Sequence, residues 1–382
     1  MTGTDADVVV VGLGAWGAAA LWQLARRGVR AAGVEQYGLA HDLGSSYGES
    51  RMFRTACLEH PGLVPLARRS RELWRQLETE TGTHLLDPTG AMLIGPRDGR
   101  IVGGALRAAR EHGLEVRVLD RDALHRRAPA HAGLADGHVA VVEPEGGLTL
   151  PERTIEAAVG AARAAGAVVL TGTRVTAVER TGGGVAVHTA EAGVLRAGQA
   201  VVTAGPWLAD LVPDLPLEVV RMPVTWFTPT AHDERFGLGR LPVFMRELDG
   251  GDVIWGHGAL PGRTDVKLGL EDGGRGHFAT VDPATMDRSV APADWAVLAE
   301  HLARAVPGLG EAPSRATASP YARTPDGQFL IGRPRRDPAV LIAGACGSHG
   351  FKHSLGIGEV LADLVQGKEP AMPLDFTDPD RF

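Results

Sequence analysis

The run Asp7 to Gly12 (DVVVVG) is apolar on both faces and rich in valine, the pattern of a strand buried inside a parallel sheet. A helix is predicted from Ala15 to Arg27, Gly28 closes it, and Ala31 to Val34 makes a second buried strand. One complete βαβ unit therefore lies within the first 36 residues. Leu63, Leu66, Ala67, Leu73, Trp74 and Leu77 recur at helical spacing and predict an amphipathic helix over 63–77. Thr149 and Glu152 have capping-box spacing around Pro151 and predict a helix running through Ile155 and Val159 toward Gly166, with a strand over 167–170 after it. Apolar runs separated by turns such as Thr181 to Gly184 predict a β-meander over 174–204 that ends in the buried strand QAVVTAG. Short strands and glycine turns dominate 221–277. The run AVLIAG (339–344) repeats the buried-strand pattern, and a helix over 353–365 follows it. No internal repeat or low-complexity segment interrupts this order.

At 382 residues the chain exceeds the roughly 250–300 residues at which one hydrophobic core stops growing, so two domains with a site between them are expected. A net charge of -7 offers no basic surface for a phosphate backbone, which removes nucleic acid from the expected partners. The apolar run Val8 to Val11 is too short for a signal peptide or a membrane span, so the cytoplasm is the expected location. Cys57 and Cys346 match no metal spacing or disulfide framework; both are expected to be buried thiols, and no metal is expected. Of the 39 basic residues only Lys267, Lys352 and Lys368 are lysines, so a lysine here is less readily explained as generic surface charge.

Gly12, Gly14 and Gly17 form GxGxxG between the first strand and the first helix, where glycines allow a tight turn and close approach of a pyrophosphate to the helix amino terminus. Glu35 ends the second strand, where a carboxylate accepts ribose hydroxyls, and it makes the triplet specific for a dinucleotide lacking a 2′-phosphate. Ala15 and Trp16 in the turn and Gln36 beside Glu35 join them as expected cofactor contacts. FAD and NAD share this fingerprint. In a simple NAD dehydrogenase the βαβ repeats would continue through the first ~150 residues. Here mixed β segments intervene, and apolar nucleotide-domain strands return at Ala200 and Ala339. The expected fold is α/β with additional β: an FAD-binding Rossmann-like βαβ domain (1–85, 146–215 and 318–382) with an inserted mixed-sheet substrate domain (86–145 and 216–317).

Seven segments in order resemble the family of monomeric sarcosine oxidase and N-methyltryptophan oxidase, within the D-amino-acid-oxidase group of flavoproteins. They are VGLGAWG (11–17), SSYGESRMFR (45–54), TGAMLIGP (89–96), VVTAGPW (201–207), VKLG (266–269), SPYARTPDGQFLIG (319–332) and GSHGFKHSLGIGE (347–359). The resemblance spans nearly the whole chain, loosely over 97–140 and 208–250. It implies that Arg54 and Lys352 clasp a substrate carboxylate, that Arg51 and Ser50 lie over the flavin, and that Lys267 activates oxygen. It further implies cofactor contacts at Ser45, Val175, Ala204, Gly205, Trp207, Ser319, Gly347, Gly350, Phe351 and Lys352, and a pocket aromatic at Tyr321. An arginine fork and a lysine point charge suit a small anionic substrate. Arg54 alone reads equally as a surface or ion-paired arginine. His349 either touches the flavin or only hydrogen-bonds backbone.

The departures from the family pattern carry information too. Trp255 stands where the family has a substrate-site tyrosine, and Glu271 where it has a histidine four residues after the oxygen-side lysine. Both are expected to reshape the pocket toward a substrate unlike sarcosine, although Glu271 reads equally as an exposed strand-end carboxylate. Gly347-Ser348 inverts the family's serine-glycine order. Ser319 replaces the cysteine that attaches the flavin in close relatives, so FAD is expected to be held without a covalent bond. The expected activity is oxidation of a C–N bond of an amino acid or N-alkyl amino acid to an imine, with O2 reduced to H2O2, by a monomer. A flavin dehydrogenase using another acceptor, a non-catalytic flavoprotein and an NAD-dependent dehydrogenase are the alternatives.

Overall fold

The computed structural model of the chain describes residues 4–273 and 275–382. The Ala6–Val11 and Ala31–Val34 strands pair in parallel, and the Ala15–Arg26 helix crosses between them. Val168–Leu170 extends this sheet beyond Ala31–Val34. On the other side Val194–Val202 serves three partner strands. Its first residues pair antiparallel with Gly184–Thr189, and its last residues pair in parallel with both Ala6–Val11 and Val340–Gly344. The meander read from 174–204 is thus the antiparallel flank of a parallel nucleotide sheet, completed by Val175–Thr181 and by Leu330–Gly332. The Ala15–Arg26, Leu63–Thr81, Pro151–Ala164 and Ser354–Val365 helices pack together, with Leu21, Trp22, Trp74 and Leu361 among the buried side chains of their shared core. Burying that much aliphatic and aromatic surface is the main stabilising term for the unit.

A second eight-stranded sheet runs in the order Arg315–Arg323, Glu218–Phe227, Val266–Leu270, Val253–His257, Val243–Glu247, Ala91–Pro96, His138–Glu143, Arg117–Leu119. Alternation sorts its side chains: Met92, Ile94, Phe244, Ile254 and Leu268 share a core with the Ala296–Ala305 helix. Leu93, Val141, Met245 and Val253 share another with the Arg100–His112 helix. A small sheet of Arg51–Phe53, Gly147–Thr149 and Leu86–Asp87 accompanies these two. The expected domain boundary at 317/318 falls inside the Arg315–Arg323 strand, all of which belongs to the second sheet. No described helix is long and apolar enough to cross a membrane.

The capping box at Thr149 and Glu152 does not form. Thr149 is claimed by the small sheet, where its hydroxyl donates to Arg51 O at 3.2 Å, and Leu150 becomes the N-cap ahead of Pro151. Glu152 instead turns its carboxylate to the turn at 48–49, accepting from Gly48 N at 2.6 Å and Glu49 N at 3.0 Å. Those amides lie outside any strand or helix and need an acceptor, so the tertiary partner outcompetes the local cap.

Candidate active site

The glycine turn is built for close approach. Gly12 has φ +85°, a Cβ there would stand 2.8 Å from Thr203 O, and a Cβ at Gly17 would stand 1.8 Å from Gly12 O. Any side chain at either position would push the helix off the strand. Thr203 ties the turn down by donating its hydroxyl toward Val11 O and Gly12 O, at 3.0 and 2.8 Å.

The amino terminus of the Ala15–Arg26 helix opens on a cavity of about 440 Å3, a size within the common range for ligand pockets of ~300–1,000 Å3. Both sheets supply its wall. On one side of the turn stand Glu35, Thr173 and Val175; on the other stand Ser45, Arg51, Ser319 and Tyr321. Amides of the turn donate to side chains of two cavity-wall segments, Leu13 N to Glu35 Oε2 at 2.8 Å and Ala15 N to Ser46 Oγ at 3.4 Å. Glu35 Oε1 accepts from Tyr37 N at 3.1 Å, so each carboxylate oxygen is fixed by one amide and keeps lone-pair capacity for a hydroxyl donor. A glycine-rich turn, a helix amino terminus and a held carboxylate are what a flavin dinucleotide requires for its adenosine and pyrophosphate half.

Most of the sequence-predicted cofactor residues line this cavity: Gly12, Gly14, Ala15, Trp16, Glu35, Gln36, Ser45, Arg51, Val175, Ala204, Gly205, Trp207, Ser319, Gly350 and Phe351, with the pocket residue Tyr321. Gly17, Ser50, Gly347, His349 and Lys352 do not. Gly17 lies beneath the turn, and Gly347 donates its N–H to Ala322 O at 3.1 Å while Ser348 takes the place on the wall. His349 has Nε2 3.2 Å from Gly327 O and its ring stacked on Phe329 with centroids 4.7 Å apart. Burial pulls its pKa down to about 4, so the ring is neutral. The expectation for the cysteines holds for Cys57 alone, whose thiol burial pushes up to about 12; Cys346 is partly exposed on the cavity wall.

Arg54 and Lys352 are 2% and 3% exposed, and one residue absent from the sequence reading joins them. Glu59 Oε1 accepts from Arg54 Nη2 and lies 3.2 Å from Lys352 Nζ. Burial opposes its charge, yet Arg54 and Lys352 together hold the Glu59 carboxyl well below the usual carboxylate range. Each cation also donates to backbone, Arg54 Nη1 to Ala56 O at 2.5 Å and Lys352 Nζ to His349 O at 3.0 Å. The two cations thus converge, as the resemblance implies, but on an internal carboxylate. Nothing in the turn EHPG at 59–62 marks Glu59 out.

Lys267 is 2% exposed, its Nζ donating to Gly48 O at 2.6 Å and Ser50 O at 3.0 Å and lying 5.3 Å from the Trp226 ring centroid. Burial first, and then the Arg51 guanidinium, hold its pKa well below that of an ordinary lysine. Ser50 is turned away from the cavity, with its Oγ 2.7 Å from His257 Nε2. Trp255 and Glu271 do not line the cavity either. Trp255 lies against Gly269 and donates Nε1–H to Leu270 O at 3.1 Å, whereas Glu271 pairs with Arg100 at the start of the Arg100–His112 helix. Glu271 is neither on the cavity wall nor a fully exposed strand-end carboxylate: it is partly buried just after the Val266–Leu270 strand and paired with Arg100.

The family model described as FAD dependent oxidoreductase matches residues 7–364. Monomeric sarcosine oxidase of Streptomyces avermitilis is 34% identical over 379 residues, 98% of this chain and 97% of that protein. N-methyl-L-tryptophan oxidase of Citrobacter koseri is 31% identical over 379 residues, 98% of this chain and 99% of its own. In fold the chain is similar to the open form of NikD, an unusual amino acid oxidase essential for nikkomycin biosynthesis, with TM-score 0.82, 24% identity, and 99% and 98% of the two chains covered. It is likewise similar to glycine oxidase from Geobacillus kaustophilus, with TM-score 0.80, 23% identity and 99% of each chain covered. With the match running from the first strand to the last helix, and the glycine turn and Glu35 standing where such a cofactor is gripped, the chain belongs to the FAD dependent oxidoreductase family.

Proposed function

We propose that this protein is an FAD-dependent oxidase of an amino acid or N-alkyl amino acid. The C–N bond is oxidised to an imine, which water hydrolyses, and the two reducing equivalents and their protons pass to O2 as H2O2. The observation that carries the reading is where this arginine-using chain spends its lysines. Two of the three are buried beside the cavity wall, Lys267 against Arg51 and Lys352 next to Phe351, while Lys368 is exposed. A buried lysine costs desolvation free energy that a merely soluble surface would not demand.

FAD, when bound, supplies the hydride-accepting and oxygen-reducing chemistry. The chain supplies binding and fixed charge. Arg54 and Lys352 hold the substrate carboxylate in place of Glu59, which orients the C–N bond, and Tyr321 contributes to the cavity wall. Lys267 and Arg51 provide fixed cations that favour negative charge developing on oxygen, an electrostatic effect that a low-dielectric site amplifies. The names of the two relatives, oxidases of sarcosine and of N-methyl-L-tryptophan, support the N-alkyl amino acid class. FAD is held without a covalent bond: Ser319 contributes a hydroxyl, 3.2 Å from Gly44 O, where a thiol would be needed.

The test is an anaerobic screen of amino acids and N-methyl amino acids against the purified yellow protein. Loss of flavin absorbance with one of them, and its return with stoichiometric H2O2 on admitting air, is the expected result. Bleaching that only an artificial acceptor reverses identifies a dehydrogenase instead. Acid precipitation of the same sample is expected to leave FAD in the supernatant, and flavin retained in the washed pellet overturns the non-covalent assignment.

A further inference from the structure

Behind Arg51 three buried groups from separate segments meet. Ser50 immediately precedes the Arg51–Phe53 strand, and Lys267 and His257 are register partners on adjacent strands of the second sheet. His257 Nδ1 lies 2.7 Å from Gly258 O. A carbonyl can only accept, so Nδ1 carries the proton and Nε2 is left as an acceptor. The Ser50 hydroxyl, 2.7 Å from Nε2, must then donate to it, which turns the oxygen's lone pairs toward Lys267 Nζ at 3.5 Å. Together with Gly48 O and Ser50 O, Nζ therefore faces three acceptors, and only an ammonium has three N–H groups to meet them.

We propose that His257, acting through Ser50, is a positioning residue that holds Lys267 as an ammonium beside Arg51. Without the imidazole the Ser50 hydroxyl is free to rotate and donate to the amine lone pair, which favours the neutral form. The other charges around Lys267 do not substitute for this. Arg51 and Arg315 repel its charge, whereas Glu49 and Glu152 favour it without hydrogen-bonding to Nζ, and burial disfavours it most of all. His257 adds no competing charge: burial, then Lys267, pulls its pKa to about 4, against the opposite pull of Glu49 and Asp265. The consequence for oxygen rests on the oxidase reading above; the protonation state of Lys267 does not.

With only three lysines in the chain, the holoprotein labelled with 13Cε/15Nζ-lysine gives three side-chain signals, and the Lys267→Met variant identifies the one at issue. His257→Phe and Ser50→Ala are each expected to move the Lys267 titration down by about one pH unit or more, and His257→Gln, whose amide oxygen can accept from Ser50, to restore most of the shift. The upper pH limit of flavin reoxidation by oxygen moves down with it, while flavin reduction by substrate keeps its pH profile. A Lys267 titration unmoved or raised in both His257→Phe and Ser50→Ala overturns the proposal. If the titration moves as expected but reduced wild-type flavin is inert to oxygen, the positioning stands and the oxidase reading falls.

Discussion

Arg54 and Lys352 are buried cations whose shared partner is the Glu59 carboxylate, and that arrangement sets what a ligand there must offer. An incoming group that replaces Glu59 has to bring a negative charge of its own, because two cations left facing each other in a dry site repel. If the substrate is an amino acid, Arg54→Met or Lys352→Met costs about 2–5 kcal/mol of binding to it, the usual loss when one member of a buried charged pair is removed. The corresponding decarboxylated amine loses far less. Steady-state KM values for the two substrates measure the difference, and equal effects on both remove the clamp from the site. Residue identity alone left Arg54 open between ion pairing and ligand binding, and the fold shows the ion pair: its guanidinium is buried against Glu59.

At the scale of elements, the strand pair Val253–His257 and Val266–Leu270 carries a fitted contact that decides the shape of the face bearing Lys267. Trp255 and Gly269 are register partners, and a Cβ at Gly269 would stand 2.2 Å from Trp255 Cζ2. Gly269→Ala must therefore lift the indole and break its 3.1 Å bond to Leu270 O. The expected cost is about 1–3 kcal/mol, the range for overpacking, read as a lowered urea midpoint with altered tryptophan emission. Trp255→Leu made with Gly269→Ala restores most of that loss, whereas additive losses in the double variant would show that the two residues do not meet. The βαβ unit, the Leu63–Thr81 helix and the closing Val340–Gly344 strand were all legible because a buried parallel strand and a one-sided helix each impose a local period. The cap at Thr149 does not form: the spacing of a capping box says nothing about the strands at 51–53 and 86–87, far upstream, that claim the threonine.

For the molecule as a whole, buried neutral histidines set the acid limit of stability. His131 is fully buried with its ring edge-on to Phe244 at 4.6 Å, and burial, then Arg246, pulls its pKa to about 3. His257 and His349 are pulled to about 4, chiefly by burial. An unfolded histidine titrates near 6.5, so below that pH the unfolded chain binds protons that the native state refuses. Stability is then complete above the unfolded value and falls as pH drops toward the folded one. At pH 5 each such residue costs about 2 kcal/mol. His131→Phe, which keeps the ring and removes the titration, is expected to recover about 2 kcal/mol of the stability lost between pH 7 and 5, measured by urea unfolding of the holoprotein. An unchanged pH slope in that variant would show that His131 is protonated in the folded state.

Sequence by itself determined the cofactor end of this protein. A glycine turn needs close backbone approach, and Glu35 needs to end the second strand; both are requirements within about 25 contiguous residues, so the chain states them locally. The scarcity of lysine was equally visible, being a property of composition, and Ser319 stands where the family resemblance implies a cysteine. What only the tertiary structure decided is which charges meet. Glu59 on Arg54 and Lys352, Glu152 on the turn at 48–49, Arg100 on Glu271 and His257 on Ser50 are pairings set by how separate segments pack. Each partner is an ordinary polar residue whose neighbours in sequence carry no trace of it. Coulombic and hydrogen-bonding partners are chosen by distance in space, and the period of a strand or helix encodes only which face a side chain occupies.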